Sequence, residues 1–150
     1  MNAFTLLKND HEKVAGILEK IDETTERAIK SREELFAQLK NELDVHARIE
    51  EEILYPALEE YEETRPISLE AYEEHALVKQ LLEELAAAPK DDEQWTAKFT
   101  VLKENVEHHV EEEEGEMFQK ARKVLSEEEI EELGDRLQAA KQVQKSAMAG

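Results

Sequence analysis

The chain contains no cysteine, which excludes disulfides, thiolate nucleophiles and thiolate metal ligands. Glycine and proline are scarce, at four and three residues, and aromatics make up only 5%. That shortage argues against a turn-rich sheet protein and for helices. No apolar run approaches the roughly 20 residues that a membrane span needs. The opening Met1-Asn2-Ala3-Phe4 carries neither the basic stretch nor the apolar block of a signal peptide. A soluble cytoplasmic protein is therefore expected. Positive charge is also in short supply, with 19 Lys and Arg against 38 Asp and Glu and a net charge of −19. Nucleic-acid affinity depends on Lys and Arg neutralising phosphates, so neither nucleic acid nor an anionic membrane is expected as a partner.

The 150 residues suit one domain with a sizeable core. Disorder is the competing state for so acidic a chain, and apolar periodicity decides against it. Leu7, His11, Val14, Leu18 and Ile21 form one stripe along a helix expected to end near residue 29. Ser31 with Glu34 has the spacing of a capping box for a second helix, whose stripe is Leu35, Leu39, Leu43, His46, Ile49, Ile53 and Ala57. Ser68 is the expected cap of a third, with Tyr72, His75, Val78, Leu82 and Leu85. Pro89 ends it, and Asp91 or Asp92 caps a fourth carrying Phe99, Leu102, Val106, His109, Glu113, Met117, Ala121 and Val124. Ser126 with Glu129 opens a shorter helix with Ile130, Leu133, Leu137 and Ala140. Short connections make sequential helices antiparallel neighbours. The predicted fold is all-α: an antiparallel up-down-up-down four-helix bundle over residues 1–125. Residues 126–150 are expected to add a C-terminal helix and tail on the same domain, lying across one end or one side, with Lys145–Gly150 frayed. Pro56 is expected to kink the second helix.

Four of the five histidines fall in these core-facing stripes: His11, His46, His75 and His109, one per bundle helix. Glu50 follows His46 by four residues and Glu113 follows His109 by four, so each pair shares a helix face. His11 to His75 is 64 residues, while His46 to His109 and Glu50 to Glu113 are both 63. The surroundings repeat as well, since Asp10-His11 with Leu18 and Ile21 matches Glu74-His75 with Leu82 and Leu85. Two hairpins related by an approximate two-fold would bring equivalent sets face to face. A lone histidine on an apolar stripe is ordinarily a hydrogen-bonded core residue, and a glutamate there ordinarily reaches water. Buried carboxylates cost several kcal/mol unless something positive compensates, and Lys and Arg are scarce on these stripes. A metal cluster supplies that charge. Nitrogen and carboxylate ligands suit Fe, Mn or Zn. Six ligands exceed one tetrahedral Zn and match two metals, each with two imidazoles and both bridged by two carboxylates. No histidine has a Glu three residues before it, so the ferritin-like Glu-x-x-His pattern is absent.

With His11, His46-Ala-Arg-Ile-Glu50-Glu running into Ile53-Leu-Tyr-Pro56, His75, and His109-Val-Glu-Glu-Glu113-Glu running into Met117-Phe118, the chain resembles the haemerythrin-like (HHE) domain family over roughly residues 4–124. The resemblance implies an oxo- or hydroxo-bridged non-haem di-iron site, with Zn or Mn as substitutes. It implies binding or sensing of dioxygen, nitric oxide or peroxide. The alternatives are a redox enzyme with weak peroxidase-like or nitric-oxide-consuming turnover, or a protein of iron handling. Respiratory haemerythrins carry a further histidine one turn after the third-helix histidine, where this chain has Lys79. The implied assignment is His11 and His46 to one iron, His75 and His109 to the other, and Glu50 and Glu113 bridging. The lost ligand leaves a position for water, substrate or a neighbouring Glu or Tyr. Two accessible irons favour activation or redox turnover over reversible oxygen transport. Some family members place the last carboxylate five residues after the histidine, which would select Glu114.

His108 shares the four-residue spacing with Glu112, but it points about 100° from the stripe. The acidic blocks Glu50–Glu52, Glu59–Glu63 and Glu111–Glu114 are expected to be mainly solvated faces. Tyr55 and Tyr72 are expected to be core residues with a wet hydroxyl, with a ligand role as the alternative; Trp95 is expected to be packing. No catalytic domain, DNA-binding motif or anchor is added, so a sensor would signal through a protein partner. A structural bundle that binds metal loosely is the remaining class. The register makes a direct prediction: metal analysis should find metal lost in His109→Ala and retained in His108→Ala, and the reverse would move the ligands by one residue.

Overall fold

The structure, a computed structural model, describes residues 1–149. Every element among them is helical: α1 (Ala3–Asp22), α2 (Ile29–Ile49), α3 (Tyr55–Glu59), α4 (Arg65–Ala87), α5 (Glu93–Glu112), α6 (Phe118–Val124) and α7 (Glu127–Ala149). A π-helical turn over Glu50–Leu54 joins α2 to α3, and another over Glu113–Met117 joins α5 to α6. The chain thus forms four rods, α1, α2–α3, α4 and α5–α6. They pack as a ring in which α1 touches α2 and α5, and α4 touches α2 and α5. The expected all-α bundle is what the chain adopts.

Local chemistry moves several helix ends from their expected places. Helix α1 stops at Asp22 rather than near residue 29, because Thr24 turns its hydroxyl back onto the Ile21 carbonyl at 2.6 Å. Helix α2 starts at Ile29 without a side-chain cap, so Ser31 is not its N-cap. This start is anchored instead by buried Arg32, which donates to the Lys90 carbonyl at 2.8 Å and lies 4.9 Å from the Trp95 ring centre. Ser68 likewise falls inside α4, where its hydroxyl donates to the Thr64 carbonyl at 2.8 Å. Asp92 does cap α5, accepting from the Gln94 amide at 2.9 Å. Ser126 and Glu129 exchange amide bonds of 2.9 and 3.1 Å at the start of α7, as a capping box requires.

Helix α7 runs along α1, α2 and the first π turn, burying Ile130, Leu133 and Leu137. A Cβ at Gly134 would collide with the backbone of Met1 to Ala3, so this glycine permits the close approach. The tail expected to fray is helical through Ala149, with Gly150 outside the described residues.

The irregularity assigned to Pro56 begins upstream of it, at Glu50, and its counterpart in α5–α6 has Gln119 in the proline position. Proline is therefore not its cause. Each π turn adds a residue to one turn of helix, which shifts the buried stripe by one. Leu54, Tyr55 and Leu58 are fully buried, whereas Ile53 and Ala57 are only half-buried. Two apolar clusters result. One contains Phe4, Leu7, Tyr55, Phe118 and the α7 leucines. The other contains Val14, Phe36, Leu82, Trp95 and Val106. The expected site residues lie between them.

Candidate metal centre

The six expected residues come together midway along the bundle, each buried to 8% exposure or less. His11 and His46 place their Nε2 atoms 3.2 Å apart, and His75 and His109 do the same at 3.2 Å. Glu50 lies across both pairs, with Oε1 3.1 Å from His46 Nε2 and 3.3 Å from His75 Nε2. Glu113 does likewise, 3.2 Å from both His11 and His109. Glu50 Oε2 and Glu113 Oε1 are buried without a hydrogen-bond partner.

A second ring fixes the imidazoles. Each Nδ1 faces a carboxylate: His11 meets Glu114 at 2.5 Å, His46 meets Asp10 at 3.1 Å, His75 meets Glu51 at 2.9 Å and His109 meets Glu74 at 2.7 Å. An imidazole that donates from Nδ1 presents its Nε2 lone pair, and here such lone pairs converge in twos. Two nitrogens each about 2.1 Å from one ion at a right angle stand about 3 Å apart, so the spacing suits a shared cation. Two four- and three-membered donor sets, His11-His46-Glu50-Glu113 and Glu50-His75-His109, could each hold an ion.

A sequence profile described as a hemerythrin HHE cation binding domain matches residues 2–121. The chain belongs to this family. It is 35% identical over 143 residues to the uncharacterized protein Rv2633c of Mycobacterium tuberculosis, covering 93% of this chain and 84% of that one. A DNA nickase of Nostoc sp. is 29% identical over 141 residues, but this chain spans only 39% of its length. The crystal structure of an HHE cation-binding protein from Mycobacterium kansasii, a Rv2633c homolog, superposes with a TM-score of 0.86 at 32% identity. It covers 99% of this chain and 91% of that one.

The internal repeat is more complete in this HHE chain than its six buried residues alone show. Asp10 and Glu74 each precede a histidine and bond one on another helix; Glu51 and Glu114 each follow a buried glutamate and do the same. Both pairs were visible as repeats, though not as hydrogen-bonding roles. Glu114 sits on His11 Nδ1 rather than between the pairs, which is where Glu113 lies. His108 is exposed and pairs with Glu112 at 3.2 Å. No sequence signal pointed to Lys141, which reaches in from α7 to bond Asp10.

Tyr55 corrects the expectation of a wet hydroxyl. It is fully buried, and its oxygen lies 2.8 Å from Glu113, 3.1 Å from Glu50, 3.2 Å from His75 Nε2 and 3.4 Å from His109 Nε2. The π turn aims it there, with the Tyr55 amide bonded to the Glu50 carbonyl. Phe118 holds the equivalent place after Glu113 and stacks on Phe4, so the hydroxyl serves only the His75–His109 half. Tyr72 is partly buried and donates to the Glu51 carbonyl at 3.4 Å. Trp95 is packing, with its indole N–H on the Leu85 carbonyl at 3.0 Å. On the opposite side from Tyr55, a cavity of about 580 Å³ reaches the four histidines, with Arg48 and Lys79 among its lining residues.

Without metal, protons compensate the carboxylates. Burial opposes charge on His109, but Glu113 and Glu74 outweigh it and push its pKa up to about 10. Burial likewise opposes charge on His46, yet Glu50, Asp10 and Glu113 hold it well above the usual range. Glu113 is driven up by burial and down by Glu50, His109 and His11, ending well below the usual carboxylate range. Burial and the two glutamates together push the Tyr55 phenol up, so it remains protonated. A raised histidine pKa stabilises the fold fully below the ordinary 6.5, and that stabilisation disappears as pH rises through about 10. The melting temperature of metal-free protein should therefore fall between these values, while that of metal-loaded protein falls less. Equal slopes in thermal melts would contradict the assignment.

Proposed function

We propose that this HHE chain is a non-haem di-iron protein that binds or senses dioxygen, nitric oxide or peroxide. The observation that carries this reading is the pair of imidazole couples, each 3.2 Å across, flanking two buried carboxylates with one unbonded oxygen apiece. In this reading His11 and His46 would hold one iron and His75 and His109 the other, with Glu50 and Glu113 the carboxylates in reach of both couples. Zn or Mn would fit the same donors. A bound di-iron pair supplies redox chemistry toward small oxidants. The chain supplies ligand geometry through the Asp10, Glu51, Glu74 and Glu114 carboxylates. It also supplies the Tyr55 phenol next to the His75–His109 couple, 3.2 and 3.4 Å from the two Nε2 atoms. The phenol would serve there either as a further ligand or as a proton held against Glu50 and Glu113.

Two features favour the alternative of a redox enzyme: a cavity gives solutes access to the histidines, and a protonated Tyr55 stands within 2.8 Å of Glu113. Nicking of DNA, the activity named for the Nostoc relative, does not suit a chain of net charge −19.

Anaerobic Fe(II) loading followed by air, nitric oxide and peroxide separates these readings. About two Fe per chain with near-ultraviolet charge-transfer absorption is expected, together with a visible band that Tyr55→Phe abolishes if the phenol is a ligand. Sub-stoichiometric iron without absorption would sink the proposal. Spectral reversal under argon would indicate binding, and sustained peroxide consumption an enzyme.

A further inference from the structure

The four histidines face a cleft of about 580 Å³ that opens to solvent past the exposed Arg48, Glu52 and Lys79 and is otherwise walled by apolar side chains. A water molecule takes about 30 Å³ of liquid, and dioxygen or peroxide is not much larger. The space therefore exceeds what the gases and peroxide of the proposed function require by an order of magnitude. Its walls come from all four rods of the bundle: Val14 of α1, Leu43 of α2, Val78 and Leu82 of α4, and Val106 and Val110 of α5. The four histidines form one end, while Glu50, Glu113 and Tyr55 do not line it at all. A dry apolar cavity of about 150 Å³ suffices to hold benzene, so this one has room for a larger organic molecule.

Charge narrows the class. The acids at the rim are already engaged: Asp44 pairs with Lys40 at 2.7 Å, Glu52 pairs with Arg48 at 3.0 Å, and Glu51 faces His75 Nδ1 at 2.9 Å. They leave no strong pull on a cation. Lys79 has no ion-pair partner among the described residues, but it stands exposed on a chain of net charge −19, which opposes entry of an anion. The apolar walls oppose ions of either sign.

We infer that the cavity binds a neutral, mainly apolar organic molecule of about ten non-hydrogen atoms, with one polar end such as a hydroxyl or hydroperoxide turned toward the histidines. The inference deepens the proposed function and rests on it for the meaning of the polar end. Occupancy itself does not require metal.

The test is calorimetric titration of the full chain with 2-phenylpropan-2-ol, once with zinc bound as a redox-silent metal and once after metal removal. Saturable 1:1 binding is expected in both forms. Val78→Trp, which fills the cavity, should weaken it at least about tenfold, with Val110→Phe as a second filling variant should the first fail to fold. Val101→Trp, on the exposed face of α5, should leave it unchanged. Phenylacetate and benzylammonium should each bind at least about tenfold more weakly than the alcohol. No saturable binding, or binding indifferent to both filling variants, would overturn the inference. Tighter binding of phenylacetate that Lys79→Met removes would overturn its neutral class. Alcohol binding in a chain that takes up no metal would defeat the metal reading alone. Metal uptake without alcohol binding would defeat this inference alone.

Discussion

Two carboxylates and four imidazoles face one another midway along the bundle, each buried to 8% exposure or less, and the rest of the architecture accommodates the positive charge this arrangement demands. Ionised Glu113 at 1% exposure and Glu50 at 0% would be strongly destabilising without compensation. The raised pKa values of His46, His75 and His109 provide it in the absence of metal, and in the proposed reading metal ions would provide it between the converging Nε2 atoms. The outer carboxylates keep those nitrogens aimed inward. The apolar clusters above and below the layer limit its contact with water to the cavity at the histidines and strengthen the interactions inside it.

The approximate two-fold of the chain builds this layer economically, but the two halves are not equivalent. Tyr55 serves the His75–His109 half while Phe118 stands in the corresponding place of the other. Asp10 is held by Lys141 from α7, whereas Glu74, its counterpart, faces Glu112 and the exposed His108 across α5. One half thus has a phenol beside its imidazoles and the other a neutralised outer carboxylate. Under the proposed assignment, this symmetric donor set with asymmetric surroundings would make the two metal positions different in electronic character.

Much of this was legible in the sequence because a period of 3.6 residues maps onto a helix face without further information. His11, His46, His75 and His109 stand out as polar interruptions of apolar stripes, and Glu50 and Glu113 follow by one helical turn. The internal repeat then distinguishes a shared constellation from isolated core histidines. The failures have equally definite causes. Ser31 and Ser68 had the residue type of a cap, but tertiary anchors, Arg32 against Trp95 and Thr64 on the Leu58 carbonyl, set the helix starts instead. The π turns carry no compositional signature, so the one-residue shift that buries Tyr55 and its hydroxyl was invisible. Lys141 lies more than 130 positions from Asp10, a distance across which no local pattern extends.

The central claim is that the four imidazoles form two metal positions bridged by Glu50 and Glu113. Anomalous diffraction at the iron edge from iron-loaded crystals tests it most directly. The account predicts two peaks about 3.5 Å apart, one against His11 and His46 and the other against His75 and His109, with both glutamates between them. A single peak, or density placed at His108 and Glu112, would contradict it.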